Sequence, residues 1–211
     1  MPSNSKPELS LFLDILHKFE ALNIPYVIIG GFAAVMYGIT RATYDIDIIV
    51  DMDENHMQAL SAAYPLPRYY ADPYQMQNAV KIGSSFNIID TDRVEKADIF
   101  PLTMDSRYQP AFDNRIRRDV DMVGAEPFAV WTARREDVII GKLMAWDEGR
   151  SERHTADIFE ILLFYHLGGY AKERPFDERY VDAFVHQLGS DTADIWQLIK
   201  EAAREEASRN Q

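Results

Sequence analysis

Apolar residues recur at helical spacing at Leu9, Phe12, Leu13, Leu16, Phe19 and Leu22, which predicts an amphipathic first helix ending near Asn23 and Pro25. The pattern then tightens. Residues 26–30 form a short apolar run of buried-strand length, and the Gly30-Gly31 pair leads into a helix over 31–38 closed by Gly38. Residues 44–51 predict a second strand carrying Asp45 and Asp47. Asp53 is placed to cap a helix running to about Tyr64, where Pro65 and Pro67 stop it. Residues 68–76 read as loop, with a short helix near 75–82. Phe86–Asp90 and Ala97–Leu102 read as two strands joined by a polar turn over 91–96. Ile116–Val123 alternates well enough for another strand, and Phe128–Trp131 for a shorter one.

From Glu136 onward the pattern is helical, with helices expected over 135–148, 154–167, 177–188 and 192–207. Gly149, Gly168-Gly169, Pro175 and Gly189 separate them. The fold class is therefore α/β of the α+β kind. A mixed sheet with flanking helices is expected over 1–132, followed by a C-terminal helical bundle over 133–211. The polar stretch after Glu205 reads as a fraying helix end.

Composition narrows the picture. At 211 residues and 47% apolar content, the chain can bury a substantial core. It has no cysteine, which removes disulfides, thiolate zinc sites and cysteine nucleophiles and fits a reducing interior. No segment resembles a signal peptide or approaches the roughly 18 consecutive apolar residues of a membrane span, so a soluble cytoplasmic protein is expected. The net charge of −12 argues against a broad basic surface for nucleic acid. Only the middle of the chain departs from this, with Arg115, Arg117, Arg118, Arg134 and Arg135. These could face a phosphate-rich partner, or pair with Asp113, Asp119, Asp121, Glu136 and Asp137.

The candidate chemistry begins at Asp45 and Asp47. Residues i and i+2 of a strand share a face, so two carboxylates about 7 Å apart repel unless a cation lies between them. Asp98 lies in the otherwise apolar run Asp98-Ile99-Phe100 and can supply a third carboxylate; such an aspartate either faces solvent or meets a cation. Asp90 and Asp92 compete for that role, but they sit at the turn end of the hairpin, where Asp is commonplace. The Gly30-Gly31 turn leaves backbone N–H groups open to an anion. An all-oxygen carboxylate set suits Mg²⁺ (or Mn²⁺), and two such ions can clamp the oxygens of a phosphoryl transfer. Lys142 is flanked by Val138, Ile139, Ala145 and Trp146 on a helix face, so its ammonium must snorkel outward, pair with Asp157 or meet an anion. The five histidines show no zinc-ligand spacing, and Trp131, Trp146 and Trp196 read as packing residues.

Ile29-Gly30-Gly31, thirteen intervening residues, then Asp45-Ile46-Asp47-Ile48 resembles the signature of the nucleotidyltransferase superfamily with the polymerase-beta-like fold. The resemblance covers about residues 24–102. It implies a nucleotidyltransferase-type sheet, metal ligation by Asp45, Asp47 and Asp98, and help from Asp98 in deprotonating the attacking hydroxyl. Gly31 stands where many members have a phosphate-holding serine, which makes Arg41 a candidate phosphate cation. The wording GGFAAVMYGITRATYDIDI is most similar to bacterial abortive-infection-type toxin nucleotidyltransferases. In those relatives a helical lysine precedes a K/R-D-x-x-D stretch. Lys142 matches as a catalytic and nucleotide-binding position and Asp157 as a nucleotide-binding one, whereas His154 replaces the first aspartate.

The resemblance implies transfer of a nucleoside monophosphate from an NTP such as ATP to an acceptor hydroxyl on RNA, protein or a small molecule. The chain could then be a toxin–antitoxin component, with a cognate antitoxin or a second copy of itself as partner. Two alternatives stand beside it: a non-catalytic member that binds nucleotide or a partner, and an aminoglycoside-type small-molecule modifier. The acidic surface suits a cationic acceptor better than RNA.

Overall fold

The computed structural model describes residues 11–41, 43, 45–120, 127–169 and 174–210. Leu9 of the expected first helix, and residues 121–123 of the strand expected from Ile116, lie outside them. The elements run α1 (Leu11–Ala21), β1 (Tyr26–Ile29), α2 (Gly30–Val35), β2 (Ile46–Val50), α3 (Glu54–Ala63), β3 (Tyr69–Tyr70), α4 (Pro73–Ile82), β4 (Phe86–Asp90) and β5 (Glu95–Pro101). They continue with α5 (Gln109–Asp113), β6 (Ile116–Val120), β7 (Phe128–Thr132), α6 (Arg135–Gly149), α7 (Glu152–His166), α8 (Glu178–Val185) and α9 (Ser190–Arg209). This is an α/β fold, a mixed sheet with helices followed by C-terminal helices.

The chain forms two compact units: residues 1–28 with 44–132, and residues 29–43 with 133–211. The segment that follows β1 thus belongs with the C-terminal helices.

The first unit is built on one seven-stranded sheet of order β3-β4-β5-β2-β1-β7-β6. β2 pairs with β5, and β1 with β7, in parallel; β3–β4, β4–β5 and β6–β7 are antiparallel. β2 is the middle strand. Its Ile46, Ile48, Ile49 and Val50 are all buried, so it has apolar neighbours on both faces. α1 buries Leu13, Leu16 and Phe19 of the predicted stripe together with Leu11 and Ile15, while Phe12 and Leu22 are half-buried. Its backbone N–H at Leu11 donates to Glu95 Oε2 at 2.7 Å, and Asp14 accepts from the Tyr64 hydroxyl at 2.8 Å.

Two differences from the sequence pattern have local causes. Asp72 accepts from the Tyr74 N–H at 2.9 Å and Pro73 occupies the first turn, so α4 begins before the apolar spacing would start it. β3 is an edge strand of two residues, too short to carry an alternation. β2 carries its ladder with β5 from Ile46↔Ala97 onward; residue 44, where the strand was expected to start, lies outside the described residues. Asp53 does cap α3, accepting from the His56 N–H at 2.8 Å.

In the second unit α7 packs on α6 and α9, and α8 packs on α6 and α9. Trp196 is 1% exposed and donates its indole N–H to Asp182 at 2.7 Å, so it is a packing residue with a satisfied polar edge. Gly38 has φ +97°, and a Cβ there would run into the Phe164 ring. Among the described residues, no helix is long and apolar enough to cross a membrane.

The turn end of the β4–β5 hairpin carries a buried carboxylate. Asp90 is 1% exposed, accepts from Arg68 at 2.9 Å and takes the N–H groups of Asp92 and Arg93 at 3.1 and 3.3 Å. The Arg68 hydrogen bond, aided by those N–H groups, holds its carboxyl below the usual range despite burial. A carboxylate with a depressed folded pKa stabilises above its unfolded value. Asp90→Asn is therefore expected to cost about 1–3 kcal/mol in urea unfolding at neutral pH. The gap between variant and parent should shrink as pH falls from about 3.9 through the lower folded value. A gap that is absent at neutral pH would show the pair to be dispensable.

Candidate functional site

The acidic residues lie on β2 and β5. In the parallel register Asp47 stands opposite Asp98, so the two carboxylates leave the sheet on the same side, on strands about 4.8 Å apart. Asp47 is half-buried. Asp45, one residue before the strand, is exposed. Two further residues complete this face, and neither was singled out from the sequence. Lys96, two residues before Asp98 on the same strand, places Nζ 2.8 Å from Asp98 Oδ2. Asn87, in register with Asp98 on β4, donates its amide to Asp98 Oδ1 at 2.8 Å when its amide nitrogen faces that carboxylate, as the surrounding groups require.

The hydrogen bond to Asp98 raises the Lys96 ammonium above its ordinary pKa, with the charges of Asp98, Asp45 and Asp47 adding to it and loss of water opposing it. The face therefore attracts a cation. Its donors are all carboxylate oxygens, the chemistry a hard divalent ion prefers. Among the described residues, however, no three His, Cys, Asp or Glu side chains gather into a ready-made metal-holding group. The donor oxygens suit such an ion in kind, and the Lys96 ammonium stands on one of them.

The second assembly is in the helical unit and centres on Asp157. This residue is 2% exposed and lies beyond the first turn of α7. Arg41 grips it in a fork, Nε to Oδ1 at 2.8 Å and Nη2 to Oδ2 at 2.6 Å. Lys142, 5% exposed, reaches Oδ2 at 2.5 Å. The pairing left open for Lys142 is thus the one it makes. Burial pushes the Asp157 carboxyl up, but the hydrogen bonds from Arg41 and Lys142 outweigh it and hold it low. Burial drives the Lys142 ammonium down by more than its bond to Asp157 restores. His154 is half-buried one helical turn earlier, and burial and the Lys142 charge both lower its pKa. Its buried Nδ1 has no hydrogen-bond partner among the described residues.

The glycine pair borders this assembly. Gly30 has φ +65°, a left-handed conformation that favours glycine at the turn into α2. A Cβ on Gly31 would stand 2.9 Å from Thr43 Oγ1 and 3.8 Å from Arg41 Nη2. The space a larger residue would need is therefore taken by the Thr43 hydroxyl. Gly30, Gly31, Arg41, Lys142 and Asp157 all belong to the second unit, and Asp45, Asp47 and Asp98 to the first.

The arginine strip does not stand open. Arg115 lies over the Phe112 and Trp131 rings at 4.3 and 5.0 Å, Arg117 pairs with Glu20, and Arg134 pairs with Asp137 at 2.8 Å. Asp137 was an expected partner; Glu20 was beyond sequence reach because it lies on α1.

Comparison with protein-family models and with curated proteins gives no match. Among solved structures, the chain is similar to an antigenic nucleotidyltransferase-like protein from Paracoccidioides brasiliensis, with a TM-score of 0.53, 15% identity and 89% of each chain covered. It is also similar, at lower TM-scores, to JHP933 from Helicobacter pylori (0.42, 17% identity, 96% of each chain). A further likeness is to the antibiotic-resistance factor ANT(2'')-Ia (0.41, 15% identity, 95% of this chain and 92% of that one). The first of these carries the fold assignment: a nucleotidyltransferase-type mixed sheet with flanking helices.

Asp157 balances two cations. Asp157→Ala leaves the buried Lys142 ammonium beside Arg41 and is expected to cost about 3–5 kcal/mol. Lys142→Met leaves Asp157 with its Arg41 fork and should cost clearly less. Thermal or urea unfolding of both variants tests this; equal losses would show that Arg41 alone does not satisfy the carboxylate.

Proposed function

We propose that the chain is a divalent-cation-dependent nucleotidyltransferase that moves a nucleoside monophosphate from an NTP to an acceptor hydroxyl. The observation that carries this reading is the Asp47–Asp98 pairing across β2 and β5, with Asp45 beside it, on a sheet of nucleotidyltransferase type. In the proposed reaction the acceptor oxygen bonds to the α-phosphorus, the α–β phosphoanhydride bond breaks, and pyrophosphate leaves. Asp98 takes the hydroxyl proton. Mg²⁺ or Mn²⁺ held by Asp45, Asp47 and Asp98 would neutralise phosphate charge. Gly30-Gly31 backbone N–H groups and Arg41 are the proposed phosphate-binding groups of the second unit, where the buried Lys142 pairs with Asp157. The net charge of −12 favours a cationic small-molecule acceptor over RNA.

A second reading, nucleotide or partner binding without turnover, is favoured by one observation: Lys96 already holds an oxygen of Asp98. Calorimetry with each NTP and Mg²⁺, followed by long incubation, separates the two, since binding with no product supports the second.

Asp45→Asn and Asp47→Asn should each lower NTP turnover by roughly 10²-fold or more while leaving the circular dichroism spectrum unchanged. Turnover equal to that of the parent would overturn the catalytic reading. Incubation of the chain with labelled NTPs and cell lysate identifies the acceptor. Label on a small molecule is the expected outcome, and label on RNA or protein would point instead to the toxin-type reaction.

A further inference from the structure

We propose that Lys96 is a built-in competitor for the divalent cation, an ammonium that occupies the Asp98 oxygen a metal ion would need and must swing away for the ion to bind. The inference rests on the nucleotidyltransferase reading and adds to it a residue that sets metal affinity.

Lys96 and Asp98 are two apart on β5 and therefore share a face. Both oxygens of Asp98 are engaged, Oδ1 by the Asn87 amide and Oδ2 by Lys96 Nζ at 2.8 Å. Asn87 lies in a paired strand position and can stay in place while a cation takes Oδ2, orienting the carboxylate as an outer partner does. Lys96 cannot stay, because an ammonium and a divalent ion on one oxygen repel. It is also built to leave. Its side chain is 43% exposed on an Asp98 that is 21% exposed, whereas the structural cation Arg68 is 29% exposed on an Asp90 that is 2% exposed. A lysine supplies a single hydrated point charge on a flexible stem, not the planar fork of an arginine, so it exchanges readily with another cation. The charges of Asp45 and Asp47 also bear on Lys96, so the same set of carboxylates that draws the ammonium is the set proposed for the metal.

The consequence is a face with fewer net negative charges than its carboxylates alone would give. Removing the ammonium should strengthen cation binding, within limits set by exposure and salt. The test is a Mn²⁺ titration of the full chain, followed by electron paramagnetic resonance of the free ion, in the parent, K96M, K96R, D47N and D98N. Urea unfolding verifies that each variant folds. K96M is expected to bind Mn²⁺ about three- to tenfold more tightly than the parent at low ionic strength, with the gain shrinking as salt rises. K96R, which keeps the charge, should show no such gain. Affinity in K96M equal to or weaker than the parent's, with binding still lost in D47N and D98N, would overturn the role of Lys96 and leave the metal site intact. Mn²⁺ binding that is insensitive to D47N and D98N, or absent throughout, would overturn the metal reading itself and this inference with it.

Discussion

A strand in the middle of a seven-stranded sheet loses most of its contact with water, so a carboxylate on it needs either an opening or a cation. β2 is that strand, and Asp47 is the residue that meets the constraint. The parallel register with β5 sets Asp98 beside it, which doubles the negative charge on one face instead of relieving it. Apolar residues cannot balance such a pair. Lys96 supplies part of the compensation and Asn87 fixes one carboxylate in orientation. This charge imbalance, concentrated by backbone pairing, is what makes the face chemically distinctive.

The helical unit solves the opposite problem. Asp157 is buried in α7, and two cations converge on it. Removing any one charge changes the balance of the other two, because desolvation makes an uncompensated ion costly.

Much of the fold was legible because its signals are local. The α1 stripe, the β4–β5 hairpin and the four C-terminal helices follow from periodicity and breakers within one window. β3 was not legible, since two residues carry no period, and α4 began early because capping by Asp72 and Pro73 outweighed apolar spacing. Among the candidate residues, Asp98 and Lys142 stand out in the sequence as charged residues in apolar surroundings, Asp45 and Asp47 by their i, i+2 spacing on a strand, and Asp157 through the resemblance. Lys96 and Asn87 do not, being ordinary polar positions on half-exposed strands. The Lys96-Ala97-Asp98 spacing was the available signal, and it becomes informative only once 96–98 is known to be strand.

The sequence by itself determined most of the strands and helices and where carboxylates and a lysine interrupt apolar runs, because periodicity and the cost of burying charge act over a few residues. Only the tertiary structure decided who faces whom: Asp47 opposite Asp98, Lys96 on Asp98, and Arg41 sharing Asp157 with Lys142. Those pairings join residues 51, 15 and 116 positions apart or depend on which face of a strand is shared. Strand register and helix packing set them, and neither is written in any local stretch of the chain.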